Sequence, residues 1–323
     1  TYNGVTYDEN SPGLEYQESD WYWKPGFTVK VGANYNLTEK SNVFLNAGYL
    51  SKAPRFNNVY NRYDLTLLTN IVNEKIAAVE AGYTFNTKDV TVNANVYYTD
   101  WKNAPTNPKS YRIDDNETGY YNIDGMDALH MGIEADASWR IIENLEAEAL
   151  LSLGNWRWTS ADSVDIYNRY NYKVDSAYFN ATGIHVGDAA QTQVAASLRW
   201  EIIKYLYVKG QFTYFDRYFS DFNPFSLDPA GNPGGFDENG DPLDTWQMPA
   251  YYLIDLHAGY SVKWNKFRFD FRASVLNLLN TTYITDAANN DSFSATTIDN
   301  DAKSAGVFFG MGRRLNTSLT ISF

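Results

Sequence analysis

The sequence predicts an all-β chain that crosses a membrane as an antiparallel β-barrel. Three observations predict it. About eleven strand-length stretches alternate apolar and polar side chains. Their connections alternate strictly between tight polar turns and long loops, and two rows of aromatic residues lie on the apolar faces about a bilayer apart. A soluble sandwich has no reason to keep all its long loops at one end.

Composition narrows the class further. At 323 residues the chain is long enough for one large unit. Hydrophobic residues make up 44% and the mean hydropathy is -0.45, yet no run approaches the ~18 apolar residues of a membrane helix. A barrel remains open, because only alternate residues meet lipid. Cysteine is absent, so disulfides, thiolate ligands and thiol nucleophiles are excluded. The 26 basic and 39 acidic residues leave a net charge of -13, which argues against a nucleic-acid partner. His130, His185 and His257 are far apart, and no nucleophile–base spacing or glycine-rich phosphate loop appears. We expect neither an enzyme nor a cofactor.

Residues 1–25 read as the tail of an extracellular loop, and residues 26–323 as barrel. Strands are predicted at 26–37, 41–54, 74–85, 90–106, 125–142, 145–160, 189–202, 205–222, 249–263, 267–284 and 305–323. Between them the tight turns are Thr38-Glu39-Lys40, Asn86-Thr87-Lys88-Asp89, Glu143-Asn144, Ile203-Lys204 and Asn265-Lys266. The long loops are 55–73, 107–124, 161–188, 223–248 and 285–304. Phe267, Phe269, Phe271, Ala273 and Val275 share one face of the tenth stretch, opposite Arg268, Asp270, Arg272 and Ser274. The ninth sets Tyr252, Ile254, Leu256, Ala258, Tyr260 and Val262 against Asp255, His257 and Ser261.

That period of two also fits a half-buried sheet in water. The belts decide for the membrane. Near the short turns stand Tyr35, Tyr83, Trp139, Trp200 and Trp264; near the long loops stand Tyr49, Tyr98, Tyr214 and Tyr252. From Tyr252 to Trp264 a strand tilted near 40° climbs about 30 Å. The last stretch places Leu315, Thr317, Leu319, Ile321 and Phe323 in one phase and stops on that aromatic. With short turns on the periplasmic side, the first strand descends and the last descends too. An odd count leaves two open edges that lipid cannot satisfy, so the chain is expected to be the C-terminal half of a barrel of about twenty-two strands.

Local patterns carry a resemblance to TonB-dependent outer-membrane receptors. Gly48-Tyr49-Leu50-Ser51-Lys52-Ala53-Pro54-Arg55-Phe56 resembles that family's SKxFRAPxF segment, with Lys52 at the motif's arginine position and Arg55 after the proline. Asn73-Glu74-Lys75 running into Val79-Glu80-Ala81-Gly82-Tyr83 resembles its NPE…xELGY strand. Gly132-Ile133-Glu134-Ala135-Asp136 resembles GxExE, and Val275 to Tyr283 resembles NLFNxxY. The style is similar to receptors of the Bacteroidota.

The resemblance implies active transport of a scarce ligand: a ferric chelate, a cobalamin-like cofactor, an oligosaccharide or a peptide. A structural or assembly barrel of a larger surface machine is the alternative. It implies as partners outer-membrane lipid and lipopolysaccharide, the TonB complex through an N-terminal plug outside this chain, the barrel insertion machinery reading Leu319, Ile321 and Phe323, and a surface lipoprotein. Plug-facing lumen positions would be Glu134, Asp136, Glu146, Glu148, Arg268, Asp270 and Arg272. Ligand contacts are expected among Tyr60, Tyr63, Tyr167, Tyr170, Tyr172, Tyr178, Phe179, Phe222, Phe225 and Trp246 on the long loops. Asp237-Glu238-Asn239-Gly240-Asp241 hints at a calcium loop, but Met248 stands where an EF-hand needs glutamate; an acidic surface turn is expected and no metal site.

Overall fold

The computed structural model describes residues 5–6, 8, 11, 18–60, 65–68, 71–105, 109–112, 118–121, 125–168, 172–187, 189–222, 224–229, 233–289 and 301–323. Eleven antiparallel strands form one continuous sheet in strict chain order. They are β1 (Phe27–Thr38), β2 (Ser41–Lys52), β3 (Glu74–Asn86), β4 (Val90–Ala104), β5 (Met126–Ile142), β6 (Leu145–Trp158), β7 (Thr192–Ile203), β8 (Leu206–Asp216), β9 (Tyr251–Trp264), β10 (Phe267–Leu276) and β11 (Arg314–Ser322). All eleven predicted stretches are present.

Side-chain chemistry explains where three of the predictions overran. Asn277 ends β10: it adopts φ 50°, its amide donates to the carbonyls of Thr281 and Met311, and its carbonyl accepts from the Thr281 amide. Arg217, at φ 49°, breaks the strand after β8 and donates to the carbonyls of Gly154 and Gln191 and to Thr192 Oγ1. The final stretch splits into Ala305–Phe309, which pairs in a loop sheet, and β11. The turn after β7 is Lys204-Tyr205 rather than Ile203-Lys204, since Ile203 pairs with Leu206. Tyr205 (φ 70°) and Asn265 (φ 55°) supply the left-handed backbone that two-residue hairpins need.

Register aligns the belts. Tyr35, Val43 and Tyr83 lie side by side across β1–β3, and Trp139 stands between Val90 and Ala147. Trp200 stands between Leu145 and Val208, and Trp264 opposes Phe267. At the far end Tyr214 opposes Tyr252, and Tyr98 lies between Val79 and Met131. Every one of these rings is outward, and Val, Leu, Ile and Ala fill the band between. The Phe323 ring lies 6.4 Å from Phe267 at the periplasmic edge. β1 and β11 each pair on one side only, and every residue of both is exposed.

The buried apolar cluster lies outside the membrane. Strands Ala161–Tyr167 and Lys173–Asn180 form a hairpin whose Val164, Ile166 and Phe179 pack with Met126, Ala181, Ile184 and Leu227, flanked by Trp158 and Phe222. This cap sits over the extracellular ends of β5 and β6. Asp165 pairs across the hairpin with Lys173 at 2.6 Å and accepts from Ser176 at 3.1 Å. Chiefly through the Lys173 contact, its carboxyl is held below the usual aspartate range. A depressed folded-state value means the contact stabilises the hairpin above the unfolded carboxyl's pKa and is lost as pH falls through the lowered one. A carbon-13 titration of Asp165 should therefore give a midpoint below that of free aspartate, moving up in Lys173→Met. An unshifted midpoint would remove the ion pair from the account.

Candidate functional site in the lumen and its mouth

The inward face is built by the alternate residues of the same strands. Glu134, Asp136, Glu146, Glu148, Arg268, Asp270 and Arg272 all lie on it. In the row near the periplasmic turns, Glu146 lies between Arg140 and Arg199, and the row continues through Lys209 and His257 to Ser274. One rung higher, Glu148 accepts from Ser197 Oγ and Lys209 Nζ, both at 2.7 Å. Asn93 donates to Asp136 at 3.0 Å and Asn95 to Glu80 at 2.9 Å. Across the sheet, Asp270 binds Arg268 at 3.0 Å and also accepts from the Ser261 hydroxyl.

A cavity of about 220 Å³ opens beside Arg199, Tyr207, Gly259, Arg268, Asp270 and Arg272. Gly259 is required there: a Cβ would stand 2.4 Å from the Tyr207 ring, over which the Arg199 guanidinium lies at 4.4 Å. The charges are sorted by strand. Inward residues of β3–β6 include Glu80, Glu134, Asp136, Glu146 and Glu148 against Arg140, whereas β7–β10 carry Arg199, Lys209, Lys263, Arg268 and Arg272 against Glu201, Asp255 and Asp270. Arg199 and Lys209, and Glu80 of the xELGY-like strand, are lumen residues beyond those expected there, although their phase along the strands marks them as inward.

At the mouth the predicted loop aromatics separate by burial. Tyr60 is buried, its hydroxyl donating to the Asp20 carbonyl at 2.5 Å and its ring 4.8 Å from Phe56. Phe179 is 1% exposed inside the cap, and Phe222 packs edge-on against Trp158 at 6.4 Å, so both serve cap packing. Tyr167 and Trp246 are half-buried, the latter's amide bonding to Asn289 Oδ1 at 3.3 Å. Tyr172 and Tyr178 are exposed. Tyr63 and Tyr170 lie outside the described residues, as does the side chain of Phe225.

Two loops are tied together by His185. Its ring stacks on Phe219 at 3.9 Å, its Nδ1 lies 2.5 Å from Asp244 Oδ2, and its amide donates to Asp244 Oδ1 at 3.0 Å. The Asp237 carboxylate accepts from the amides of Asn239 and Asp241 at 2.8 and 2.9 Å around Gly240 (φ 84°). These backbone donors, that of Asp241 first, hold Asp237 below the usual aspartate range. Its oxygens close a turn.

A cluster of rings that no expectation from the sequence included lies just beneath the cap. Tyr97, Trp101, His130 and Trp156 converge on the inward face at the extracellular ends of β4–β6. His130 lies between the two tryptophans, 5.8 Å from Trp101 and 5.6 Å from Trp156, and Trp156 Nε1 donates to the Tyr97 hydroxyl at 2.8 Å. Gly132 and Gly154, opposed in register, make the room: a Cβ would come within 2.5 Å of the Tyr97 hydroxyl or 2.7 Å of Trp156 Nε1. The inward phase of Tyr97, Trp101 and Trp156, opposite to Tyr98, was the signal that could have found them.

An apolar belted exterior, a charged interior and a loop cap on one end define the wall of an outer-membrane barrel. The chain belongs to the TonB dependent receptor-like, β-barrel family, whose model matches residues 2–278, and is an outer-membrane protein. Among solved structures it is similar to the ferric yersiniabactin uptake receptor FyuA from Yersinia pestis, at 18% identity and TM-score 0.57, covering 91% of this chain and 37% of that one. It is likewise similar to the copper transporter OprC, at 15% identity and TM-score 0.58, covering 91% of this chain and 39% of that one. With BauA, the ferric preacinetobactin receptor from Acinetobacter baumannii, identity is 15% and TM-score 0.54, over 91% and 36% of the chains. At these identities the likeness is one of fold, and this chain spans less than two-fifths of those chains' length. No curated protein matches.

Proposed function

We propose that this chain is part of a receptor that takes up a scarce ligand across the outer membrane, driven by energy delivered through the TonB complex. The observation that carries the reading is the lumen: a wall whose outer face suits lipid lines its inner face with ordered, mutually bonded charges. In this reading further strands close the barrel, and a plug packs against Glu134, Asp136, Glu146, Glu148, Arg268, Asp270 and Arg272. Fe(III) chelates, cobalamin-like molecules, oligosaccharides and peptides are the ligand classes at issue; of these, the first has the support of the similar ferric yersiniabactin uptake receptor and ferric preacinetobactin receptor. Deleting the gene should abolish growth on one limiting nutrient of a panel spanning these classes, and an uncoupler should abolish the same uptake. Growth unchanged on every nutrient, or uptake indifferent to the uncoupler, would overturn it.

The acids have a test of their own. Glu148 already bonds Ser197 and Lys209, so its removal frees Lys209 as well. Glu134→Ala with Glu148→Ala should leave the barrel assembled but loosen what it encloses, read as increased sensitivity to large antibiotics. Normal uptake with unchanged leakage would reduce both to solvated charges, each contributing about 0–1 kcal/mol.

A further inference from the structure

The aromatic box formed by Tyr97, Trp101, His130 and Trp156 has a chemistry more selective than the receptor reading requires. Tyr97, Trp101, His130 and Trp156 are half-buried on the lumen face; rings so placed bind flat molecules, and their negative π faces favour positive charge. The neighbouring charges have the same sign. Glu80 lies directly opposite Tyr97, and Glu134 lies one rung below Gly132, roughly 6–7 Å along the strand. On the inward face of β3–β6 the first cation met below the rim is Arg140, at the periplasmic turn. An anionic chelate seated on these rings would face carboxylates without a counter-charge.

The paired glycines are a mark of construction. Gly132 leaves room against both the Tyr97 hydroxyl and the Leu153 carbonyl, and Gly154 against the Trp156 ring, so the rings lie close against the wall.

We propose that this box is a ligand subsite for a flat-ringed molecule bearing positive charge, with Trp101, His130 and Trp156 supplying the ring contacts and Glu80 and Glu134 the counter-charge. This rests on the receptor reading and narrows its ligand class. Binding there involves no covalent step: desolvation of the ring on the indoles and attraction to the two carboxylates supply the selectivity.

The test uses three probes of one shape: N-methylquinolinium, neutral quinoline and quinoline-4-carboxylate, titrated by ligand-observed NMR into the receptor purified in detergent. The cation should bind about tenfold more tightly than the neutral ring, and the carboxylate more weakly than either. Trp156→Leu should weaken the cation about tenfold, with Trp156→Phe intermediate. Glu80→Gln with Glu134→Gln should erase the preference for cation over neutral ring. Variants are compared only where the heat-modifiable barrel is retained; the conservative Phe and Gln changes keep the test open if the leucine variant fails to assemble. A carboxylate that binds as well as the cation, a preference that survives the glutamine pair, or no binding of any probe would overturn the proposal. Energy-dependent uptake that persists alongside such a result sinks this inference alone; loss of that dependence sinks the receptor reading beneath it.

Discussion

Arginine at Leu256 will cost the assembled barrel about 2–4 kcal/mol, and arginine at Val194 less, whereas arginine at Ser197 or His257 will cost least. The first two lie on the outward face: Leu256, beside Val275, stands in the band between the two belts, and Val194, beside the belt residue Tyr214, stands toward its upper edge. A charge there meets hydrocarbon, with no partner and no water. The second pair faces the lumen. Ser197 already bonds Glu148, and His257 Nδ1 lies 2.9 Å from Ser274 Oγ, so a guanidinium meets carboxylate and solvent. A denaturant titration in phospholipid vesicles reads the difference directly. Equal costs on the two faces would remove the membrane from the account altogether.

Expressed by itself, the chain of residues 1–323 will not give a closed, heat-modifiable pore. The reason is the pair of edges. β1 and β11 are paired on one side only and lie at opposite ends of the eleven-stranded sheet. Each edge strand would present alternate backbone N–H and C=O groups to lipid, at roughly 2–7 kcal/mol per unsatisfied group. No plausible gain in the loops offsets a row of such groups. We infer that β1 and β11 each pair with strands of a complementary segment, which would bring the total near twenty-two. Co-expression with that segment should restore a protease-resistant barrel in outer-membrane vesicles. A stable, closed pore from this chain alone would show the inference to be wrong.

The barrel wall was legible because its signal is redundant. One alternation repeated across many strands, with Trp139, Trp200 and Trp264 at one height and Tyr98, Tyr214 and Tyr252 at another, survives any single misjudged residue. Strand ends were legible only to within a few positions. They are set by individual side chains, such as the Asn277 amide bridging to Thr281 and Met311, and such long-range bonds leave no periodic trace. Loop roles were the least legible. Tyr178 and Phe179 are neighbours of similar composition, yet one is exposed and the other is at the centre of the cap, because a hairpin strand sends consecutive residues to opposite faces. The aromatic box was hidden for another reason. Its rings come from three strands, and only the register between them brings Trp101, His130 and Trp156 together.

The sorting of acids onto β3–β6 and bases onto β7–β10 makes the interior of this wall a transverse electric dipole. A body lodged inside would feel a torque as well as an attraction: its cationic flank would turn toward Glu134 and Glu148, its anionic flank toward Arg199 and Arg272. Screening in bulk solution weakens such a field over about 8–10 Å, but an occupant that displaces the water would experience more of it. The wall would then act as a compass, giving whatever fills the barrel one preferred rotational setting about the membrane normal. Anything that pulls that occupant out of alignment must work against this restoring couple, and on release the couple would swing it back.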